Sequence, residues 1–277
     1  MFNRLLVREK LRQFYIEDNQ QGDLASRIFD PQHTGTLTLL SKDTGVFCGT
    51  AVIEEGFRLL EPNATIDMKV DDGSTIMPGT VIATINAPIH VLLTMERIVL
   101  NLIQRMSGIA SATHDLATKI AHTTTRLVDT RKTTPGLAIF EKYAVTVGGG
   151  YNHRRSLNDG LMLKDNHIAY SASVENAIEK AKSFLGPMDK IEIEIENESM
   201  LQAAIRSNVD IIMFDNQTPE WIQSHIHLVP DTIQTEASGN INTTNIEAYA
   251  STGVDFISVG ALFYGQKALD ISAKVVM

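Results

Sequence analysis

The sequence predicts an α/β protein made of an N-terminal α+β part followed by repeated βα units. In the second part, short apolar runs recur and each ends in polar residues. Glu194, Asp215 and Glu236 follow one another at intervals of 21 residues, and Ser238 and Gly260 are 22 apart. This spacing fits one strand plus one helix per unit, which favours a parallel sheet closed as a barrel. Active sites of such barrels lie at the carboxyl ends of the strands, so we expect these polar residues to lie together.

The first part of the chain has a different pattern of apolar and polar residues. Apolar residues among charges predict an amphipathic helix near residues 5–14. A second helix is predicted from about Leu92 to about Ile120, with Gly108 as its weak point. We place the domains at 1–110 and 111–265, with the tail 266–277 as an optional part of the first. Between the two helices, Gly and Pro separate four short β-like runs at residues 35–40, 45–48, 64–70 and 79–85.

Composition excludes several classes of protein. The formal net charge is -9 and the pI is about 5.4, whereas nucleic-acid binders usually carry a basic stripe. The most apolar long stretch, residues 89–106, contains Glu96, Arg97 and Arg105 and is not a membrane span. Cys48 is the single cysteine, which indicates a reducing compartment. We therefore expect a cytoplasmic protein that binds neither nucleic acid nor membrane.

One stretch departs from the acidic average. From Arg126 to His167 there are seven Lys or Arg against four Asp or Glu, a local balance of +3. Such a stretch suits a small anionic ligand. On charge alone, however, a chance cluster of surface charge is the more economical explanation.

The alternation of Ile and Glu at residues 191–196 has two interpretations. It fits an antiparallel strand with a solvated acidic face. In a βα barrel, the same pattern would point Ile outward against helices and Glu into the barrel. Carboxylates buried there destabilise the protein unless basic residues or a cation compensate their charge. The surrounding βα rhythm favours the barrel.

Several motifs follow one another in the second part of the chain: DTRKTTPGL (129–137), EKYAV (141–145), GGGYNHR (148–154) and LKDNHI (163–168). They are accompanied by SGIA (107–110), EIEIEN (192–197), DIIMFDN (210–216), EASG (236–239) and VGAL (259–262). In this order, and over most of the chain, these motifs closely resemble the signature of quinolinate phosphoribosyltransferases, also called nicotinate-nucleotide pyrophosphorylases. The DTRKT, NHR and KDNH blocks together are highly specific, whereas any one of them alone is weak.

The resemblance implies a fold and an activity. The fold is an N-terminal α/β sandwich followed by an open, incomplete α/β barrel. The reaction joins quinolinate to 5-phosphoribosyl-1-pyrophosphate and gives nicotinate mononucleotide, pyrophosphate and CO2 on the route to NAD, with Mg²⁺ accompanying the pyrophosphate. The family works as a homodimer or a higher even oligomer, and the N-terminal domain of one subunit completes the site of its neighbour.

The resemblance also implies roles for the cationic residues. Both substrates are anions, and the planar guanidinium of Arg binds carboxylates through two hydrogen bonds. Arg131 and Arg154 match quinolinate-binding positions, with His153 beside them, and Arg97 matches the arginine given by the second subunit. Three further residues match positions that contact the substrates: Thr130, Lys132 and Lys164. The two lysines also match catalytic residues.

Two further groups are implied in the same way. Glu194 and Asp215 match an acidic pair that stabilises positive charge on the ribose and helps to place Mg²⁺. The 5-phosphate would lie on backbone N–H groups of two glycine turns, where glycine allows close approach. These turns are Ser238-Gly239-Asn240 and Gly260-Ala261-Leu262.

Two alternatives stay open, and the chain also departs from the family pattern at several places that concern the phosphate contacts and the subunit interface. One is the family's molybdenum-associated relative, which shares the fold and the DTRKT block but is expected to lack the NHR and KDNH blocks. The other is a catalytically silent binding or regulatory protein on this fold. The departures are Ala138 for the usual Arg, Thr146 where a basic residue is common, Asn240 for Gly, and Phe263-Tyr264-Gly265 for Thr-His-Ser.

Overall fold

The computed structural model describes residues 2–276, apart from the side chain of Val276, and divides them into two compact units. The first unit comprises residues up to 114, residues 135–149 and residues from 265 onward; the second comprises 115–134 and 150–264. Met1 and Met277, the terminal residues of the sequence, lie outside the described residues.

The first unit is built around an antiparallel sheet. Its strand order is β12-β1-β5-β3, and a separate two-stranded sheet pairs β2 with β4. Leu37, Leu39, Ile82 and Ile85 of β1 and β5 are fully buried and form part of its core. The strands are β1 (Thr34–Ser41), β2 (Gly45–Val46), β3 (Thr65–Met68), β4 (Thr75–Ile76), β5 (Val81–Pro88) and β12 (Ile271–Val276).

Among the described residues, four α-helices belong wholly or mainly to this unit: α1 (Arg4–Asp18), α2 (Thr50–Leu60), α3 (Ile89–Ile120) and α4 (Ala138–Val147). The predicted long helix is therefore continuous through its weak point. A Cβ at Gly108 would lie 2.3 Å from the carbonyl oxygen of Lys267, so this glycine allows the chain after residue 265 to lie directly against α3. A packing requirement thus outweighs the low helix propensity of glycine.

The second unit contains a six-stranded parallel sheet flanked in sequence by helices. The strand order is β6-β11-β10-β9-β8-β7. The strands are β6 (Arg126–Val128), β7 (Leu161–Leu163), β8 (Ile191–Ile195), β9 (Ile211–Asp215), β10 (Gln234–Ser238) and β11 (Phe256–Ser258). The helices are α5 (Asp165–Ser171), α6 (Val174–Lys182), α7 (Glu198–Arg206), α8 (Pro219–His225), α9 (Ile246–Ala250) and α10 (Ala261–Tyr264).

This topology confirms the predicted fold class. Among the described strands, β6 and β7 form the two edges of the sheet and do not pair with each other. The sheet is therefore open, as the resemblance implied. The repeated βα spacing alone had predicted a closed barrel. The Ile–Glu alternation belongs to β8, which has parallel neighbours on both sides. Glu192 is buried there, which confirms the barrel interpretation over a solvated antiparallel strand.

In the part of the chain that the structure describes, no helix combines the length and the apolar character that crossing a bilayer requires.

Candidate active site

A cavity of about 770 Å³ lies where the strands of the second unit end, and all of its lining residues belong to that unit. Parallel strands bring their carboxyl ends to one edge of the sheet, which is where ligands of such folds bind. The predicted site residues on its wall are Thr130, Arg131, Lys132, His153, Arg154, Lys164, Glu194, Asp215, Ser238, Gly239, Asn240, Gly260 and Ala261.

Two predicted residues are not brought to this wall. Leu262 is fully buried in α10, and its backbone N–H donates to the carbonyl of Val259 at 3.4 Å. Arg97 is an exposed residue of α3 in the first unit. Within one chain, the cavity therefore has the predicted set of residues except for these two.

The loop after β6 supplies two cations and a hydroxyl. Thr130 Oγ1 accepts from the backbone N–H of Lys132 at 3.1 Å, which fixes the turn of the loop. A Cβ at Gly260 would lie 2.8 Å from Cδ of Lys132. The lysine stem therefore packs on the glycine turn after β11, and its charge is held beside that turn.

Arg131 and Arg154 converge in the cavity although they repel each other. Burial and the positive charge of Arg131 both lower the pKa of Arg154. Among residues 2–276, no carboxylate forms an ion pair with either guanidinium, and Arg154 donates to the carbonyl of Gly160 at 3.4 Å. Two cations held together in this way suit a ligand with two negative groups.

Arg154 follows a segment that several hydrogen bonds hold in place. The buried carboxylate of Asp129 accepts from the backbone N–H of His153 at 2.9 Å and from Nδ2 of Asn152 at 2.7 Å. The ring of His153 lies against the buried acids Glu192 and Glu236.

These contacts determine how the cluster holds protons. Burial alone would lower the pKa of His153, but the two neighbouring carboxylates outweigh it and raise the pKa to about 10. Burial and repulsion from Glu236 raise the pKa of Glu192. The two shifts have the same cause, because the ring of His153 and the carboxyl of Glu192 lie in contact and titrate as coupled groups.

The acidic pair lies at the ends of two neighbouring strands. Glu194 on β8 forms an ion pair with Lys164, which follows β7. Burial raises the pKa of Glu194, and Lys164 acts against this shift while Asp215 adds to it. Asp215 ends β9, and its Oδ2 accepts from Nδ2 of Asn216 at 2.9 Å. Two neighbouring carboxylates offer oxygen atoms of the kind that Mg²⁺ takes as ligands.

Tight turns follow β9 and β10. Asn216 and Asn240 have left-handed backbone angles, with φ of 53° and 54°, and Gly239 has φ 99°. Asn tolerates this region better than most residues, which explains how Asn240 stands where the family usually has Gly. Nδ2 of Asn240 donates to Oδ1 of Asn216 at 3.2 Å. This contact joins the two turns.

Gly239→Ala is expected to disrupt the turn after β10. The new Cβ would lie 2.2 Å from Oδ1 of Asn216, at a φ that alanine rarely adopts. If this turn receives the 5-phosphate, as the resemblance implies, affinity for 5-phosphoribosyl-1-pyrophosphate should fall by about tenfold or more. Isothermal titration calorimetry with that ligand measures this, and Gly253→Ala is the matched control. Gly253 also has positive φ, 86°, but a Cβ there meets nothing within 4 Å. Equal effects at both positions would contradict the account.

Several cavity residues escaped the sequence argument. Asn216 holds Asp215, and Oγ of the buried Ser258 donates to Oγ of Ser238 at 2.9 Å. Tyr264 also lines the cavity. The sequence did carry a signal for Asn216 and Ser258, because each lies within one residue of a strand end. For Tyr264 the signal was its departure from the family pattern.

Family models match nearly the whole chain. Residues 23–107 match the quinolinate phosphoribosyl transferase N-terminal domain, and residues 109–274 match the C-terminal domain of the same enzyme. The chain belongs to the quinolinate phosphoribosyltransferase family. Two relatives of this family illustrate the similarity. A probable nicotinate-nucleotide pyrophosphorylase (carboxylating) of Bacillus subtilis is 44% identical, with 99% of this chain and 95% of that protein covered. The protein of the same name from Synechocystis is 38% identical, with coverages of 98% and 93%.

Solved structures of the family agree with this assignment. NadC from Streptococcus pyogenes has a TM-score of 0.94 at 36% identity, covering 100% of this chain and 98% of that one. The nicotinate-nucleotide pyrophosphorylase from Francisella tularensis has a TM-score of 0.93 at 34% identity, with the same coverages. The quinolinate phosphoribosyltransferase fold is thus present along the whole chain.

Proposed function

We propose that this chain transfers the phosphoribosyl group of 5-phosphoribosyl-1-pyrophosphate to the ring nitrogen of quinolinate, with loss of CO2. The products are nicotinate mononucleotide, pyrophosphate and CO2, as the names of its relatives indicate. One observation carries the proposal: a single cavity combines converging arginines, two lysines and an acidic pair. A silent binding protein would have no need of the acidic pair, and the family's molybdenum-associated branch is not expected to have the NHR and KDNH blocks.

Arg131 and Arg154 are assigned to the two carboxylates of quinolinate. Among the described residues neither guanidinium forms an ion pair, and only the more distant charges of Glu192 and Glu194 act on Arg154, so both can bind a dianion. Binding in this way turns the pyridine nitrogen toward the ribose and limits its motion, so that attack becomes an intramolecular step. Lys132 and Lys164 are assigned to the negative groups of both substrates.

Glu194 and Asp215 are assigned to the reacting ribose. As the bond to pyrophosphate breaks, positive charge develops on the ring, and fixed carboxylates stabilise that charge. Mg²⁺ would be held by the same two carboxylates and would neutralise the leaving pyrophosphate. Backbone N–H groups near Gly239 and Gly260 are assigned to the 5-phosphate, because glycine lets an anion approach closely.

The proposal includes a shared site. Arg97 does not line the cavity of its own chain but is exposed on α3. We assign it to the quinolinate of a neighbouring subunit in a homodimer or a higher even oligomer. We also place the protein in the cytoplasm, where the buried thiol of Cys48 would stay reduced.

Substrate choice tests the proposal. Quinolinate should be accepted and nicotinate should be rejected, because removal of one carboxylate leaves a partly buried guanidinium without its partner. We expect kcat/KM for nicotinate to be lower by about 100-fold or more, corresponding to about 3 kcal/mol. Steady-state release of pyrophosphate with each acid measures this ratio. Comparable turnover of the two acids would overturn the assignment of the arginines.

A further inference from the structure

Asp215 is the member of the proposed acidic pair that no cation holds. Lys164 forms an ion pair with Glu194, whereas among residues 2–276 no Lys, Arg or His forms an ion pair with Asp215. Burial raises the pKa of Glu194, and repulsion from Asp215 adds to this shift, so the two carboxylates are close enough to repel each other. A carboxylate that is repelled in this way needs another contact if it is to keep one orientation.

That contact comes from Asn216. Its Nδ2 donates to Oδ2 of Asp215 at 2.9 Å. A carboxylate only accepts hydrogen bonds, so this contact decides which way the amide of Asn216 faces. The amide oxygen Oδ1 is turned toward the strand β10 side, where it fills the space that a Cβ at Gly239 would need. The side chain of Asn216 therefore packs directly on the turn after β10.

The turn after β10 supplies a donor for this oxygen. Nδ2 of Asn240 donates to Oδ1 of Asn216 at 3.2 Å. The carbonyl of Asn240 accepts from Nδ2 of Asn245 at 3.1 Å and from Nδ2 of Asn242 at 3.3 Å. The backbone N–H of Asn216 donates to the carbonyl of Ser238 at 2.9 Å. Both ends of the side-chain contact are thus anchored by bonds to the backbone.

The donor at position 240 is a feature of this chain. Glycine, which the family usually has there, adopts the same left-handed angles but has no side chain with which to donate. Asn240 has φ 54°, a value that asparagine tolerates. The chain of hydrogen bonds from Asn240 through Asn216 to Asp215, called the amide relay below, therefore depends on the departure from the family pattern.

We propose that Asn240 is a positioning residue that, through Asn216, holds the carboxylate of Asp215 toward the reacting ribose. This inference rests on the proposed function, which assigns Asp215 to the ribose and the turn around Gly239 to the 5-phosphate. Ser238 and Asp215 are partners in the register of β10 and β9, so the two assigned groups lie on adjacent strands. The amide relay joins them, because a side chain of the phosphate turn fixes the orientation of the carboxylate one strand away.

Glycine at position 240 tests the amide relay with little change to the backbone. We expect Asn240→Gly to lower the single-turnover rate at saturating substrates by about tenfold, because small displacements of a reacting group slow catalysis strongly. The dissociation constants of quinolinate and of 5-phosphoribosyl-1-pyrophosphate, measured by calorimetry, should stay within about threefold of wild type, since the backbone N–H of residue 240 remains. A role in the shape of the turn alone would instead weaken binding of 5-phosphoribosyl-1-pyrophosphate.

Asn208→Gly is the matched control. Asn208 also has left-handed angles, with φ 49°, and is exposed outside both cavities of the second unit. This exchange should leave the rate and both dissociation constants unchanged. Asn240→Asp gives the complementary test, because it keeps the shape of the side chain but replaces the donor by an acceptor. Its single-turnover rate at saturating substrates should fall at least as far as that of Asn240→Gly.

A double-mutant cycle tests whether Asn240 acts through Asn216. Asn216 has φ 53°, so Asn216→Gly removes the amide without straining the backbone. In this background, Asn240→Gly should add less than about a twofold change in the single-turnover rate, because the amide relay is already broken. Both asparagines are exposed, so the variants are expected to fold. If Asn240→Gly does not fold, Asn240→Asp in the same two backgrounds provides the comparison.

The outcomes separate this inference from the proposed function. Asn240→Gly with the wild-type rate, a rate loss matched by an equal loss of affinity for 5-phosphoribosyl-1-pyrophosphate, Asn240→Asp as fast as wild type, or full additivity with Asn216→Gly would each overturn the amide relay. In each of these cases an active wild type leaves the proposed function standing. A wild type that forms no nicotinate mononucleotide would overturn the proposed function, and this inference with it.

Discussion

Arg97→Ala and Lys164→Ala are each expected to be nearly inactive alone and to regain activity when they are combined in one oligomer. On the proposed shared site, Arg97 serves a neighbour's cavity whereas Lys164 serves its own. Each loss should lower kcat/KM by about 100-fold or more, because each removes a cation that a buried anion needs. A mixed dimer has one site without both groups and one site that is intact.

The size of the rescue can be stated. Random assortment makes half of the dimers mixed, and half of the sites in those dimers are intact, so about a quarter of wild-type activity should return. The measurement is pyrophosphate release after co-refolding, with mixed dimers verified by differential tags. Each variant refolded with itself should stay inactive. Lys119→Ala, which removes another exposed cation from α3, should retain activity. Inactive mixed dimers would show that Arg97 does not act across subunits.

Glu194→Gln and Asp215→Asn are expected to lower kcat far more than they weaken quinolinate binding. Both amides keep the shape of the side chain, and Asn at position 215 can still accept from Asn216. What they lose is the negative charge that meets the charge developing on the ribose. We expect kcat to fall by about 100-fold or more for each variant, in line with the loss of one charge-stabilising group.

Two measurements separate these effects. Single-turnover kinetics gives the rate of the chemical step, and calorimetry gives the quinolinate dissociation constant, which should stay within about threefold of wild type. Glu196→Gln is a matched control, because Glu196 lies on the same segment but is exposed and outside the cavity wall. Either variant with normal kcat and only weaker quinolinate binding would mean that its role is misassigned.

Much of the second unit was predictable from the sequence because it depends on local patterns. The intervals between Glu194, Asp215 and Glu236 predicted parallel βα units, and the three residues do lie on neighbouring strands β8, β9 and β10. Helix α6 (Val174–Lys182) lies between β7 and β8, where the repeated βα pattern places a helix. Polar residues at the carboxyl ends of strands line the cavity as expected, because parallel strands bring all their carboxyl ends to the same edge of the sheet.

Features that depend on long-range contact were not predictable. Strand β4 has only two residues, which is too few for a periodic signal, and β2 occupies only the first half of the run expected at residues 45–48. Residues 135–149 pack with the first unit although they lie between blocks of the cavity motif. The acids that lie against the ring of His153 come from β8 and β10, and nothing in the NHR block indicates them.

The most direct test of the central claim is the balance of products formed by the purified protein. With quinolinate, 5-phosphoribosyl-1-pyrophosphate and Mg²⁺, we expect nicotinate mononucleotide, pyrophosphate and CO2 to appear in equal amounts, measured by chromatography, a coupled pyrophosphate assay and ¹⁴CO2 release from quinolinate labelled at its 2-carboxylate. Omission of either substrate should abolish all three. Pyrophosphate release that does not depend on quinolinate, or a nucleotide product that keeps the labelled carboxylate, would contradict the account.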